Sequence, residues 1–103
     1  MNRTLYKTLE AANTRGLSLK QTMLLIQLSD DPMTMTAISK DLGASTAAIT
    51  GMVDRMEKLG LVMRHHGLAD RRKIVVSITD KGERIVHDVT RADGDSEPER
   101  IEL

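Results

Sequence analysis

Apolar residues recur at helical spacing near the start of the chain. Leu5, Leu9 and Ala12 fall at positions i, i+4 and i+7, which predicts a short helix over residues 3–14. Gly16 follows this pattern and is a residue that readily ends a helix. The first predicted element is therefore a short helix with one apolar side.

Ser18 and Gln21 have the spacing of a capping box, in which the serine hydroxyl accepts a backbone N–H and the glutamine side chain reaches back. They predict a second helix that runs to about Ser29. This helix ends before Pro32, because the residue preceding a proline avoids the helical region. Its apolar residues lie on most sides, which predicts a central core helix: Met23, Leu24, Ile26 and Leu28.

Two further helices are separated by a short turn that contains glycine. Thr34 can cap the first of them, and Gly43 fits the left-handed residue that ends it. Ser45 can cap the second, which is predicted to run to residue 59. Apolar residues at i, i+3, i+4, i+7 and i+10 of this helix predict one buried stripe: Ile49, Met52, Val53, Met56 and Leu59.

The spacing then changes to that of strands. Residues 61–66 can form one strand, and residues 73–78 alternate between two faces as a second strand does. Residues 67–72 connect them as a turn. A cap at Thr79 predicts a last helix that ends near Thr90.

These elements predict a mainly α-helical domain with a small β-hairpin (α+β), in the order of a winged helix-turn-helix. The expected organisation is a single winged-helix domain followed by an acidic, disordered tail. The corresponding ranges are 1–90 for the domain, 34–59 for the helix-turn-helix, 61–78 for the wing hairpin and 91–103 for the tail.

Composition limits the chemistry that the chain can perform. It has no cysteine, which excludes disulfides and thiolate zinc sites and fits a cytoplasmic protein. Nothing resembles a secretion signal, and no apolar run approaches the roughly 20 residues that span a membrane. Tyr6 is the one aromatic residue. We therefore expect a cytoplasmic protein with no membrane partner and a core of aliphatic residues and methionine.

Charge is unevenly distributed along a chain whose formal net charge is zero. Residues 85–103 hold six acidic and two basic side chains, so the remainder of the chain is net basic. Residues 64–84 hold six basic and three acidic side chains. The acidic tail therefore masks a modest basic patch in the total.

The helix predicted at 45–59 suits the DNA major groove, which is about 12 Å wide and admits one helix. Thr46 and Ala47 are small enough for close approach, Thr50 offers a hydroxyl and a methyl group, and Arg55 is the long cationic donor of this helix. The alternative is an ordinary helix–glycine–helix segment of the kind that any small helical protein contains.

The predicted hairpin carries Asp70, Arg71, Arg72 and Lys73 near its tip. An arginine in such a place can enter a narrow minor groove, where the negative potential is enhanced. The alternative is a solvated turn in which Asp70 pairs with a neighbouring arginine. A hairpin that follows a helix-turn-helix in this order favours DNA binding, with Arg71, Arg72 and Lys73 as candidate DNA-binding residues.

Two stretches resemble a known family. They are GASTAAITGMVDRMEKLGLVMR at 43–64 and DRRKIVVSITDKGERI at 70–85. The second contains an Asp-x-Arg wing pattern at Asp70 and Arg72, with a threonine and a glycine at the expected later positions. Over about two-thirds of its length the chain resembles the MarR (multiple antibiotic resistance regulator) family of bacterial transcription factors.

The resemblance implies roles for residues at matching positions. Arg72 would enter the minor groove, and Asp70 would orient it through a charge-assisted hydrogen bond. Asp54 would brace a wing arginine, because an unpaired carboxylate that faced DNA phosphates would be repelled. The residues that would face the major groove or its phosphates are Ser45, Thr46, Ala47, Thr50 and Arg55.

The resemblance also implies a homodimer, since members of the family pair through long terminal helices and many bind anionic aromatic ligands. Here the first helix is short and the chain ends soon after Thr90, so we expect an abbreviated dimer interface. With Tyr6 as the one aromatic residue, no sequence feature supports a small-molecule effector.

The three histidines, His65, His66 and His87, are candidate zinc ligands. His65 and His66 would point to opposite faces of a strand, and no recognisable ligand spacing exists, so we expect neither metal nor other cofactor. The sequence has no phosphate loop, no cysteine nucleophile and no paired carboxylates in an apolar setting. We therefore expect no enzymatic activity.

The sequence thus predicts a sequence-specific double-stranded DNA-binding transcriptional regulator, a repressor that acts as a homodimer. It would read the major groove with the helix at 45–59 and the minor groove with the wing at 67–72. The alternative is a winged-helix module for protein–protein interaction without strong DNA affinity, which a zero net charge and an abbreviated dimer scaffold would fit.

Overall fold

The computed structural model describes residues 3–91, and within them five helices and a three-stranded antiparallel sheet follow one another. The predicted fold class is confirmed. The acidic tail lies outside the described residues, apart from Arg91 at the end of the last helix. The elements are α1 (Arg3–Thr14), α2 (Leu19–Asp30), β1 (Met33–Thr34), α3 (Met35–Leu42), α4 (Thr46–Lys58), β2 (Val62–His66), β3 (Ile74–Ile78) and α5 (Asp80–Arg91).

Polar side chains begin the helices where the sequence predicted them. The Gln21 N–H donates to Ser18 Oγ at 3.2 Å, and the Ser18 N–H donates to Gln21 Oε1 at 2.9 Å, so both arms of the capping box are present. Thr34 Oγ1 and Ser45 Oγ accept the N–H groups of Ala37 and Ala48 at the starts of α3 and α4, where alanine offers no side chain for a reciprocal arm. Gly43 has a φ of 61°, the left-handed conformation that turns the chain between α3 and α4.

The sheet has the strand order β1-β3-β2. β2 and β3 form the hairpin, with Val62 opposite Ile78 and His66 opposite Ile74. β1 was not predicted from the sequence, because two residues are too short to show an alternating pattern. Its pairing places Met33 opposite Val76, so the segment that leads into α3 is tied directly to the wing.

A single core joins the helices to the sheet. Its largest fully buried side chains come from α2, α3, α4, α5 and both strands of the hairpin: Leu24, Leu25, Ile38, Ile49, Val53, Met56, Val62, Val76 and Val89. The predicted stripe of α4 is confirmed over its first four positions, from Ile49 to Met56.

Three apolar residues are not buried as the sequence predicted. Leu59 is 52% exposed, because α4 ends at Lys58 and the chain turns away at Gly60, where φ is 78°. Met23 and Ile26 of α2 are 41% and 37% exposed. The buried residues of α2 lie on one side of the helix and face the core: Thr22, Leu24, Leu25 and Leu28. α2 therefore packs against the core on one side and is exposed on the other, and it is not the central helix that the sequence predicted.

The threonine and glycine of the second resembling stretch join the hairpin to α5. Thr79 Oγ1 donates to the Gly60 carbonyl at 2.6 Å and accepts the Gly82 N–H at 3.1 Å. A Cβ atom on Gly82 would collide with the Leu61 carbonyl oxygen and with the Ile78 side chain. The start of α5 therefore packs against the backbone at the base of the hairpin.

None of the helices within residues 3–91 combines the length and the apolar character needed to cross a membrane.

Candidate nucleic-acid interface

The outward surface at the start of α4 is made of small and polar side chains. Thr46 and Ala47 are exposed and Thr50 is half-buried. Ser45 Oγ accepts the Ala48 N–H at 3.1 Å, which leaves its O–H free to donate outward. Thr50 Oγ1 donates to the Thr46 carbonyl at 2.9 Å, so the Thr50 side chain presents an acceptor lone pair and a methyl group to an approaching molecule.

Arg55 lies one turn further along the same surface. A Cβ atom on Gly51 would stand 3.6 Å from Arg55 Nη1, so the guanidinium folds back over the glycine. Among residues 3–91 the Arg55 side chain has neither an ion pair nor a hydrogen bond. Its five donors are therefore available to an external acceptor such as a phosphate.

The wing tip is closed by its own backbone. The Gly67 N–H donates to the Lys73 carbonyl at 3.0 Å, and the Lys73 N–H donates to the Asp70 carbonyl at 3.1 Å. A Cβ atom on Gly67 would approach the Asp70 carbonyl oxygen to 2.8 Å, so the tip needs glycine there. The loop of residues 67–73 is thus held in one shape before any partner binds.

Asp70 holds Arg72 at this tip. Its carboxylate accepts the Arg72 backbone N–H at 3.0 Å, Nε at 3.1 Å and Nη2 at 3.1 Å. The hydrogen bonds from Arg72 lower the pKa of the Asp70 carboxyl below its ordinary value of 3.8. The Arg72 side chain nevertheless remains 91% exposed, so the pairing orients the guanidinium without covering it.

His66 braces the same loop, a role that the sequence did not indicate. Its Nδ1 lies 2.7 Å from the Arg71 carbonyl oxygen, a distance at which the ring N–H donates to that oxygen. His65 Nε2 lies 3.2 Å from Ser77 Oγ on the neighbouring strand. No group of three or more metal-ligating side chains occurs among residues 3–91.

Arg64 connects the wing to α4. Its Nη2 lies 2.8 Å from Asp54 Oδ1 and 2.9 Å from Glu57 Oε1, and Glu57 Oε2 accepts the Arg64 backbone N–H at 3.3 Å. Asp54 therefore pairs with an arginine on β2, and not with Arg71 or Arg72 at the tip. Glu57 and Arg64 were missed, although two carboxylates three residues apart on one helix are a signal for such a contact.

A cleft of about 680 Å³ lies between the start of α3 and the side of the wing near its tip. Thr36 and Lys40 line it on the α3 side, while Arg72 and Lys73 line it on the wing side. Lys40 was also missed from the sequence, because its place beside the wing depends on the pairing of β1 with β3. The basic surface is therefore wider than the residues predicted for it.

The sequence profile of the MarR family matches residues 17–74 of the chain. The HTH-type transcriptional repressor YetL of Bacillus subtilis is 37% identical over 71 residues, which cover 66% of this chain and 42% of YetL. The chain thus spans less than half of the length of the curated relatives that it matches.

Solved structures share the fold. The transcriptional regulator Tm0710 from Thermotoga maritima has a TM-score of 0.82 and 26% identity, over 87% of this chain and 64% of that one. MepR of S. aureus, solved as a DNA complex, has a TM-score of 0.77 and 20% identity, over 88% of this chain and 74% of that one.

Proposed function

The chain belongs to the MarR family, and from that premise we propose that it is a transcriptional repressor that binds double-stranded DNA. It acts in the cytoplasm as a homodimer on a pseudo-palindromic site, with half-sites spaced by roughly 10 base pairs. Helix α4 enters the major groove and the wing loop of residues 67–73 enters the minor groove. It carries out no catalysis.

The observation that carries the proposal is how two candidate arginines, Arg55 and Arg72, are paired and exposed. Arg55 has no partner for its guanidinium within residues 3–91, and Arg72 is oriented by Asp70 yet almost fully exposed. An exposed arginine whose guanidinium is already oriented suits a minor-groove contact, because it loses less conformational freedom on binding. The repressor named YetL and the DNA complex of MepR are further support, each for its own protein.

Each residue then has one task. Ser45, Thr46, Ala47 and Thr50 contact base edges or phosphates in the major groove, since their side chains are short and lie on the outward surface of α4. The longer cations contact phosphates or the minor groove: Arg55, Arg71, Arg72 and Lys73. Asp54 and Asp70 contact no DNA and orient arginines instead.

Binding to random-sequence duplex over a salt series tests the DNA-binding part of the proposal. Counterion release predicts an affinity that falls steeply with salt, whereas a protein-interaction module would show little affinity for duplex at any salt. Selection of bound sequences from a random duplex pool, with the mass of the complex measured alongside, then tests sequence specificity and dimerisation.

Two substitutions test the assignment of residues. Arg72→Ala should weaken binding to all sequences and lower the salt slope by about 0.9 for each wing, or about 1.8 for the proposed homodimer, the share of the lost charge contacts. Thr50→Val keeps the shape and a methyl group but removes the acceptor, so it should shift the selected base preference. Arg84→Gln, which removes the same charge from the exposed surface of α5, is the control and should leave both properties unchanged.

A further inference from the structure

Leu68 is the most exposed large apolar side chain among the described residues, and it lies in the loop that also carries Arg71 and Arg72. Hydrogen bonds to Gly67, His66 and Asp70 hold the backbone of the loop of residues 67–73 on both sides of Leu68. Leu68 therefore stands outward between two hydrogen-bonded parts of the loop and covers no part of the core.

We propose that Leu68 enters the DNA minor groove beside Arg72 and makes an apolar contact that discriminates A·T from G·C base pairs. This inference rests on the proposed function. The occupant is identified by continuity with the candidate interface, since Leu68 and Arg72 project from one seven-residue loop whose other charged groups are mainly basic. Apolar side chains of this kind contact the minor groove in other DNA-binding proteins.

The discrimination follows from the chemistry of the groove floor. A G·C pair presents the guanine 2-amino group in the minor groove, whereas an A·T pair presents acceptors alone. A leucine pressed against the floor would leave that amino donor without a hydrogen-bond partner, which disfavours G·C. Arg72 prefers the same sequences for a different reason, the deeper negative potential of a narrow groove.

The contributions of Leu68 and Arg72 to the affinity for DNA can be separated by their dependence on the salt concentration. An apolar contact releases no counterions, so its loss lowers the affinity at every salt concentration by the same factor. Leu68→Ser should weaken duplex binding by roughly tenfold for each wing, or roughly a hundredfold for the proposed homodimer, near the lower end of what burial of a leucine contributes, with an unchanged salt slope. Leu68→Met should restore most of the affinity. Leu59→Ser, which makes the same change at a position that is 52% exposed just beyond the end of α4, is the control.

Inosine provides the chemical test, because an I·C pair lacks the 2-amino group while it keeps the major-groove edge of G·C. The probe is the duplex from the random pool that the protein binds with the highest affinity. In this duplex, each A·T pair outside the major-groove contacts is replaced in turn by G·C or I·C. At one base-pair position for each wing, the wild-type protein should bind the I·C duplex with the same affinity as the A·T duplex. Leu68→Ser should discriminate less against the G·C duplex there and keep only the part of the preference that comes from Arg72.

The outcomes are distinct. Failure of the wild-type protein to bind any duplex overturns the proposed function. Wild-type binding with an unchanged affinity and unchanged discrimination in Leu68→Ser overturns the role of Leu68 alone. A change in the mass of the free protein without a change in DNA affinity would assign Leu68 to a contact between two copies of the chain and would also overturn the proposal.

Discussion

The Asp70 carboxylate holds both ends of Arg72, since it accepts the backbone N–H at 3.0 Å and the guanidinium Nε and Nη2 at 3.1 Å each. The two residues are separated by one position, so the contact forms within a single turn of the wing. An arginine held in this way loses less conformational freedom when it binds than one that samples all its rotamers.

Asp70→Asn should weaken DNA binding through this loss of orientation. Ordering one long side chain costs about 0.5–1.5 kcal/mol, so the expected loss of affinity is about threefold to tenfold. Fluorescence anisotropy with a labelled duplex measures it. Asp30→Asn, which removes the same charge at an exposed site at the end of α2, is the control. Tighter binding by both variants would show that Asp70 acts only by repelling phosphates.

Acid titration should also detect the contact between Asp70 and Arg72, through the pKa of the Asp70 carboxyl. The Arg72 hydrogen bonds lower the pKa of Asp70 below 3.8, so the ionised carboxylate and its contribution persist above that pH and are lost as the pH falls through the lowered value. The carboxyl carbon signal of Asp70 in NMR should therefore titrate below pH 3.8. In Arg72→Gln the midpoint of this titration should move up toward pH 3.8. An unmoved midpoint would contradict the assignment of the lowered pKa to the Arg72 hydrogen bonds.

Local signals were enough to predict most of the elements. The capping box at Ser18 and the caps at Thr34 and Ser45 involve contacts three residues apart, which a sequence displays directly. Gly43 marks a turn for an equally local reason, its positive φ. The family resemblance then ordered these elements into a winged helix and supplied the candidate site residues.

The features that were missed depend on contacts between elements. β1 exists because Met33 meets Val76, more than forty positions away in the sequence, and that pairing also brings Lys40 beside the wing. The partner of Asp54 could not be chosen among several wing arginines without the register of the hairpin. Leu68 gave no signal, because a single apolar residue in a turn has no periodicity.

The glycines of α4 and α5 should respond in opposite ways to alanine. Gly82→Ala should lower the free energy of unfolding by about 3 kcal/mol, the upper end for overpacking, because its Cβ would meet the Leu61 backbone. Gly51→Ala should raise it by about 0.5–1 kcal/mol, since Gly51 lies in a helix and its Cβ would meet only Arg55 Nη1 at 3.6 Å. Urea unfolding followed by circular dichroism compares the two, and equal effects would contradict the packing described for Gly82.

The clamp of Arg64 between Asp54 and Glu57 should matter more for DNA binding than for folding. All three side chains are between a third and a half exposed, so Arg64→Met should lower the free energy of unfolding by less than about 1 kcal/mol, as expected for solvent-screened pairs. The same change removes the ion pairs between β2 and α4 and leaves two unpaired carboxylates on the candidate interface. We expect the duplex affinity to fall by more than about tenfold, because close like charges are strongly unfavourable.

A second substitution separates these two effects on binding. In the Arg64→Met background, Asp54→Asn removes one unpaired carboxylate but does not restore the connection between α4 and β2. A partial recovery of affinity would assign the recovered share to repulsion and the remainder to the lost connection. Arg64→Lys keeps the charge but lacks the planar fork that reaches both carboxylates, so its affinity should lie between those of the wild type and Arg64→Met. If affinity and unfolding free energy fell in parallel across all three variants, Arg64 would serve only to stabilise the fold.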